Sequence, residues 1–127
     1  MRYICIMNKE SGDIGLIRTI FYTEDFKVFY DSLDEKVKKK IDYIIVLIKD
    51  LKLLHTGFVK RLVSTELYEM RISVGTNEYR SIIFSIDHEN IVEASQVVFI
   101  NGFLKKSTKD YEKQIRKAEK ILNNIEI

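Results

Sequence analysis

The amino-acid sequence predicts an α+β fold in the order β-α-α-β-β-β-α, and three patterns carry the prediction. From Thr23 to about Leu53 apolar residues recur at helical spacing, from Tyr68 to Ile100 they alternate with period two, and after Ser107 the helical spacing returns. Helices are thereby segregated from a largely antiparallel sheet. With 127 residues, 46% of them hydrophobic, the chain can close one continuous core, and the absence of Pro suits regular elements throughout; residues 1–127 are read as a single domain.

Each element has a local cause. Residues 1–16 are either an extra edge strand or a mobile tail, with Ser11-Gly12-Asp13-Ile14-Gly15 as a turn. Arg18-Thr19-Ile20-Phe21-Tyr22 is rich in β-branched and aromatic residues and reads as a short strand. Thr23 stands as an N-cap, Glu24 and Asp25 favour a first helical turn, and Phe26, Phe29, Tyr30 and Leu33 follow on one face. Ser32 and Glu35 have capping-box spacing, and Val37, Ile41, Ile44, Ile45, Ile48 and Leu51 then form the stripe of a longer helix to about Leu53.

After Gly57, Tyr68, Met70, Ile72 and Val74 alternate with Glu69, Arg71 and Ser73, the signature of a half-buried strand. Gly75 to Glu78 supplies a turn of about four residues, and a second strand is expected from Tyr79 to Ile86. Asp87-His88-Glu89-Asn90 gives another polar turn, and a third strand is expected from Ile91 to Ile100, with Gly102 breaking the run. Ser107 and Asp110 form a second cap-like pair, opening an amphipathic helix whose stripe is Tyr111, Ile115, Ala118, Leu122 and Ile125.

Composition excludes several function classes. A net charge of +2 is too small to imply nucleic-acid binding by itself, so that case must rest on local clustering. Cys5 is the only cysteine, which excludes an internal disulfide and a cysteine-rich zinc site and points to a reducing cytoplasm. The apolar run from Tyr3 to Met7 is too short for a signal-peptide core, and no stretch approaches the roughly 18–20 apolar residues of a membrane span. His55 and His88 are too far apart in sequence to argue a metal pair, and no Gly-rich phosphate loop, Ser-His-Asp pattern or zinc spacing occurs, so no cofactor or metal is expected.

Three segments in order, Leu67-Tyr68-Glu69-Met70-Arg71, then Glu78-Tyr79-Arg80, then Asn101-Gly102-Phe103-Leu104-Lys105-Lys106-Ser107, together with the order of elements, resemble the RelE/ParE toxin superfamily, most closely its HigB-like, phage-derived branch. The resemblance spans roughly Arg18 to Asn123 and leaves residues 1–16 outside it. It implies the toxin of a type II toxin-antitoxin pair, a ribosome-dependent endoribonuclease that cuts mRNA and is silenced by a helix-turn-helix antitoxin. Several such toxins use a histidine or a C-terminal tyrosine near the active groove. Here no tyrosine follows Tyr111, so the expected site rests on basic residues.

Metal-free RNA cleavage needs a deprotonated 2′-hydroxyl, a stabilised phosphate and a protonated leaving oxygen. Arg71, on the polar face of its strand, has a fork that suits two phosphate oxygens; an ion pair with Glu69 or Glu66 is the alternative. Arg80 shares the parity of Ile82 and Phe84, so it must find a partner, either RNA phosphate or Glu69. Lys105 and Lys106 are the candidates for protonating the leaving group, which makes Arg71, Arg80, Lys105 and Lys106 the expected catalytic set. Lys60 and Arg61, in a loop before the meander, Tyr79, Phe103, Lys109 and Lys113 are the expected RNA-binding set, with core packing the alternative for Phe103 and solvated surface for the lysines. Glu69 is expected to orient its arginine neighbours, and Tyr68 to be half core.

From Lys105 to Lys120 seven basic residues stand against three acidic ones, a footprint for ribosomal RNA or an acidic antitoxin segment, or simply a solubilising face. The competing functional reading is a ParE-type inhibitor of gyrase or a non-catalytic binding module on the same fold.

Overall fold

A computed structural model of the protein describes residues 2–3, 5–6, 17–54 and 57–126. Strand β1 (Arg2–Tyr3) is followed by β2 (Cys5–Ile6), β3 (Thr19–Tyr22), helices α1 (Glu24–Asp31) and α2 (Glu35–Asp50), then β4 (Val59–Arg61), β5 (Leu67–Val74), β6 (Asn77–Ser85), β7 (Gln96–Leu104), α3 (Thr108–Asn123) and β8 (Ile125–Glu126). One sheet runs β2-β3-β7-β6-β5-β4, and β1 pairs with β8 in a separate two-stranded ribbon. The β5-β6-β7 meander is antiparallel as the alternation predicts, and β3 joins it in parallel beside β7, Ile20 opposite Val97. The turn expected over residues 11–15, and His55, lie outside the described residues.

The two faces of the sheet carry separate cores. On one, α1 and α2 bury Phe26, Val37, Ile41 and Ile48 against Ile20, Met70, Ile83, Val97 and Phe99. On the other, α3 lays Ala118 and Ile121 over Leu67, Ile82, Val98, Ile100 and Phe103. Period two in the strands is what sends Tyr68, Met70 and Ile72 to the first face and Leu67, Glu69 and Arg71 to the second.

Several boundaries differ from the sequence expectation, each for a physical reason. Asp34, not Ser32, caps α2: its carboxylate accepts from Val37 N at 3.0 Å, while the Ser32 hydroxyl is turned back to Phe29 O at 2.6 Å and closes α1. Helix α2 stops at Asp50 because its last carbonyls are claimed by a buried guanidinium. Arg18 donates to Ile48 O at 2.8 Å, Leu51 O at 2.5 Å and Lys52 O at 2.8 Å, and also to Ile91 O and Val92 O. Arg18 therefore fastens the end of α2 to the 91–92 turn.

That turn also displaces β7, which starts at Gln96 instead of Ile91. Ile91 and Ala94 are buried within a compact turn, and Asp87 accepts from Ser95 N and Gln96 N to start the strand. Gly102 lies inside β7 and does not end it. A Cβ there would come within 2.0 Å of the Phe29 ring, so glycine lets α1 approach the strand. The β5-β6 connection is a two-residue turn, Gly75-Thr76, with Gly75 at φ +61°. Lys60 and Arg61 are not in a loop: they belong to the edge strand β4, too short for its periodicity to show, with Lys60 opposite Glu69.

Candidate active site

On the face covered by α3, the register places Arg71 of β5 directly across from Arg80 of β6, and Arg80 across from Phe103 of β7. Two like charges opposite each other oppose pairing unless an anion sits between them. Glu69 is that anion. Its Oε1 lies 3.0 Å from Arg71 Nε and 3.2 Å from Arg80 Nε, and its Oε2 accepts a hydrogen bond from the Tyr111 hydroxyl. Glu69 is 1% exposed, and such a buried carboxylate persists only because it is paired on both oxygens.

The two arginines are not equivalent. Arg80 is 5% exposed and pinned a second time by Glu78, 3.3 Å from its Nη1. The Arg71 side chain is 34% exposed and lines a cleft of about 290 Å³ with Lys60, Arg61, Thr65, Glu69 and Tyr111. Arg71 can therefore receive an incoming anion, whereas Arg80 is committed within the protein. The Glu78 carboxyl is held below its ordinary range, first by the Ser73 hydroxyl and also by Arg80.

Tyr111 enters from the first turn of α3, which Ser107 caps by accepting from Asp110 N at 3.1 Å. Burial, followed by the hydrogen bond to Glu69, pushes its hydroxyl up to about 12, so it is a protonated donor at neutral pH. The Lys105 ammonium lies 5.2 Å from the centre of its ring, bringing a further cation to the same place.

The structure thus brings Lys60, Arg61, Glu69, Arg71, Arg80 and Lys105 to one end of the sheet and adds Tyr111. Other expected residues lie elsewhere. Phe103 is buried, with its ring 6.0 Å from that of Tyr111 and no face open to a base. Tyr79 packs against the α1-α2 core on the opposite face. Tyr68 is buried there too, its hydroxyl donating to Glu89 O and accepting from Ile91 N. Lys106, Lys109 and Lys113 are exposed, and Lys113 lines a separate groove on α3 with Arg116, Lys117 and Lys120. His88 is exposed and accepts from Asn90 N at 3.0 Å.

Tyr111 escaped the sequence reading because it also fits the apolar stripe of α3; its signal was a hydroxyl one turn after the Lys-Lys-Ser segment. Among the described residues no group of three or more His, Cys, Asp or Glu side chains converges to hold a metal ion, and no helix is long and apolar enough to cross a membrane.

A family model described as Phage derived protein Gp49-like (DUF891) matches residues 28–123, which takes in the end of α1, all of α2, the whole meander and α3. No curated protein and no solved structure matches the chain.

Proposed function

The chain belongs to the Gp49-like family of phage-derived proteins, within the RelE/HigB-like toxins, and from that premise we propose that it is a HigB-type toxin of a type II toxin-antitoxin pair that cuts mRNA on the ribosome without a metal. The observation that carries this reading is a partly exposed arginine, Arg71, held by the buried Glu69 in a cleft with Lys60, Arg61 and Tyr111. A helix-turn-helix antitoxin is its expected partner and the cytoplasm its expected compartment.

In this reading the 2′-oxygen of the message attacks phosphorus and the bond to the 5′-oxygen breaks. The 2′-hydroxyl proton passes to Tyr111 Oη as the tyrosine's own proton moves to Glu69, so that no free phenolate forms despite the raised pKa. Arg71 and Lys60 stabilise the charge developing on the phosphate. Lys105, over the Tyr111 ring, protonates the departing 5′-oxygen, and solvent then restores Lys105 and Glu69. Arg80 is a positioning residue: it fixes Glu69 and does not touch the substrate.

Such weak acids and bases act poorly on free RNA. The ribosome supplies the in-line arrangement of the message, and orientation of that kind contributes several kcal/mol.

Primer extension on a translated message, with and without ribosomes and with EDTA, tests the reading. Ribosome-dependent, EDTA-resistant cuts ending in a 2′,3′-cyclic phosphate are expected, and Arg71→Ala should slow them on the order of 10²–10³-fold. Equal cutting of naked RNA or dependence on added metal contradicts the mechanism. Uncut messages alongside inhibited gyrase supercoiling support the ParE-type alternative.

A further inference from the structure

A second cleft, of about 470 Å³, lies between α2 and the β5-β6 hairpin and is lined by Lys40, Tyr43, Arg71, Ser73, Glu78 and Arg80. Its size falls within the roughly 300–1,000 Å³ typical of small-ligand sites. Arg71 lines this cleft and the Tyr111 cleft alike, so the two meet at a partly exposed arginine.

Tyr43 has no part in the core that α2 builds. Ile41, Ile44, Ile45 and Ile48 face inward, while Tyr43 is 62% exposed at the mouth of the cleft. Beside it, Lys40 Nζ donates to Ser73 O at 2.5 Å, which ties α2 to the hairpin. An ammonium carries three donors, so two remain for another acceptor. Lys40, Arg71 and Arg80 line the cleft with one carboxylate, Glu78, which is engaged by the Ser73 hydroxyl and Arg80; since Glu69 also holds both arginines, Lys40 and the exposed part of Arg71 are the cations offered to a ligand. An exposed aromatic face beside a cationic groove is the arrangement that holds a single-stranded nucleic acid: the ring stacks a base of any identity and the cation takes the backbone.

We infer that Tyr43 and Lys40 form a subsite for the nucleotide next to the scissile one, Tyr43 stacking its base and Lys40 binding its phosphate. The strand then runs from the Tyr111 cleft past Arg71 and over the edge of the sheet to α2. This subsite rests on the endoribonuclease reading for its position relative to the cut, but its binding is measurable without cleavage.

The test uses the full chain and a short single-stranded RNA carrying a photoreactive 4-thiouridine. Fluorescence anisotropy at low salt gives the affinity, and mass spectrometry locates the crosslink. Tyr43→Ala should weaken binding about tenfold, within the range seen for one base stacked on an aromatic ring, and Tyr43→Phe should stay within about twofold of wild type. Lys40→Gln should flatten the dependence of log affinity on log salt by about 0.7, the loss of one single-strand phosphate contact. The crosslink should fall on Tyr43 or a residue next to it.

Undetectable oligonucleotide binding by the wild type, or wild-type affinity in both Tyr43→Ala and Lys40→Gln, overturns the subsite. So does a Tyr43→Ala variant that binds RNA normally but loses its antitoxin, because the surface then belongs to a protein partner. The two readings separate cleanly. Tyr43-dependent binding by a protein that cuts no message keeps the subsite and removes the ribonuclease; cutting with unchanged base preference and unchanged RNA affinity in Tyr43→Ala does the reverse.

Discussion

Arg71 and Arg80 face one another across β5 and β6 and share one carboxylate oxygen, Glu69 Oε1, at 3.0 and 3.2 Å. The pairing gives the site its asymmetry. One arginine is buried between two acids and sets geometry, and the other keeps a third of its side chain in solvent, available to an anion.

Glu69→Ala should be among the most damaging single changes in the protein. It leaves Arg80 buried beside only Glu78 and sets two arginines against each other, a loss of about 3–5 kcal/mol for breaking a buried pair. Urea unfolding should show the midpoint falling with little change in slope. Glu69→Gln keeps an acceptor for the arginines and should lose less; equal stability of Glu69→Ala and wild type would contradict the pairing described.

Tyr111→Phe should fold, with a stability loss of about 1–3 kcal/mol for the acceptor left on Glu69. Its message cleavage should fall about 10²–10⁴-fold, the usual contribution of a positioned proton-transfer group. A variant that cuts at the wild-type rate removes Tyr111 from the mechanism and leaves its hydrogen bond to Glu69 a structural role only.

The same tyrosine sets an alkaline limit. Its folded pKa of about 12 lies above the unfolded value of 10.0, so its contribution to stability is fully present below pH 10 and is lost as pH rises towards 12. Unfolding free energy measured from pH 9 to 12 should fall more steeply in wild type than in Tyr111→Phe. Tyr30, raised by burial and its hydrogen bond to Asp42, adds a second contribution of the same sign, which Tyr30→Phe removes.

Arg18→Met should destabilise the fold by at least about 3 kcal/mol, because five backbone carbonyls lose a charged donor, two of them in buried hydrogen bonds and three in partly buried ones. Arg18→Lys should rescue little, since one ammonium cannot span the end of α2 and the 91–92 turn at once. Thermal melts of the two variants lying close together, well below wild type, are the expected result.

The fold was legible where local chemistry and tertiary packing agree. Thr23 and Ser107 sit at the helix starts their side chains predict, and the alternation from Tyr68 to Val74 sends Tyr68, Met70 and Ile72 to one core, but the face expected to be polar lies under α3 and buries Leu67 and Glu69. Where two local solutions exist, sequence cannot choose: Ser32 and Asp34 are both good caps, and only the fold shows Ser32 closing α1 and Asp34 opening α2.

The Ile91–Ala94 stretch looks like a strand because it is apolar, but its burial comes from a turn clamped by Arg18 and Tyr68, partners 73 and 23 residues away. The candidate site divides in the same way. The parity of Arg80 already demands a partner such as Glu69, whereas Tyr111 reaches that carboxylate only through the packing of α3 across 42 residues of chain.

Strand β4 bears on a different property of the protein. A sheet edge offers unpaired backbone groups on which a foreign strand can dock and seed aggregation, and short, charged edge strands resist this. Here that edge is three residues long and exposes Lys60 and Arg61, two of the cations that line the cleft. Neutralising both would strip the edge of its guard and the cleft of two cations at once, so solubility and the charge of the candidate site are tied to the same two side chains.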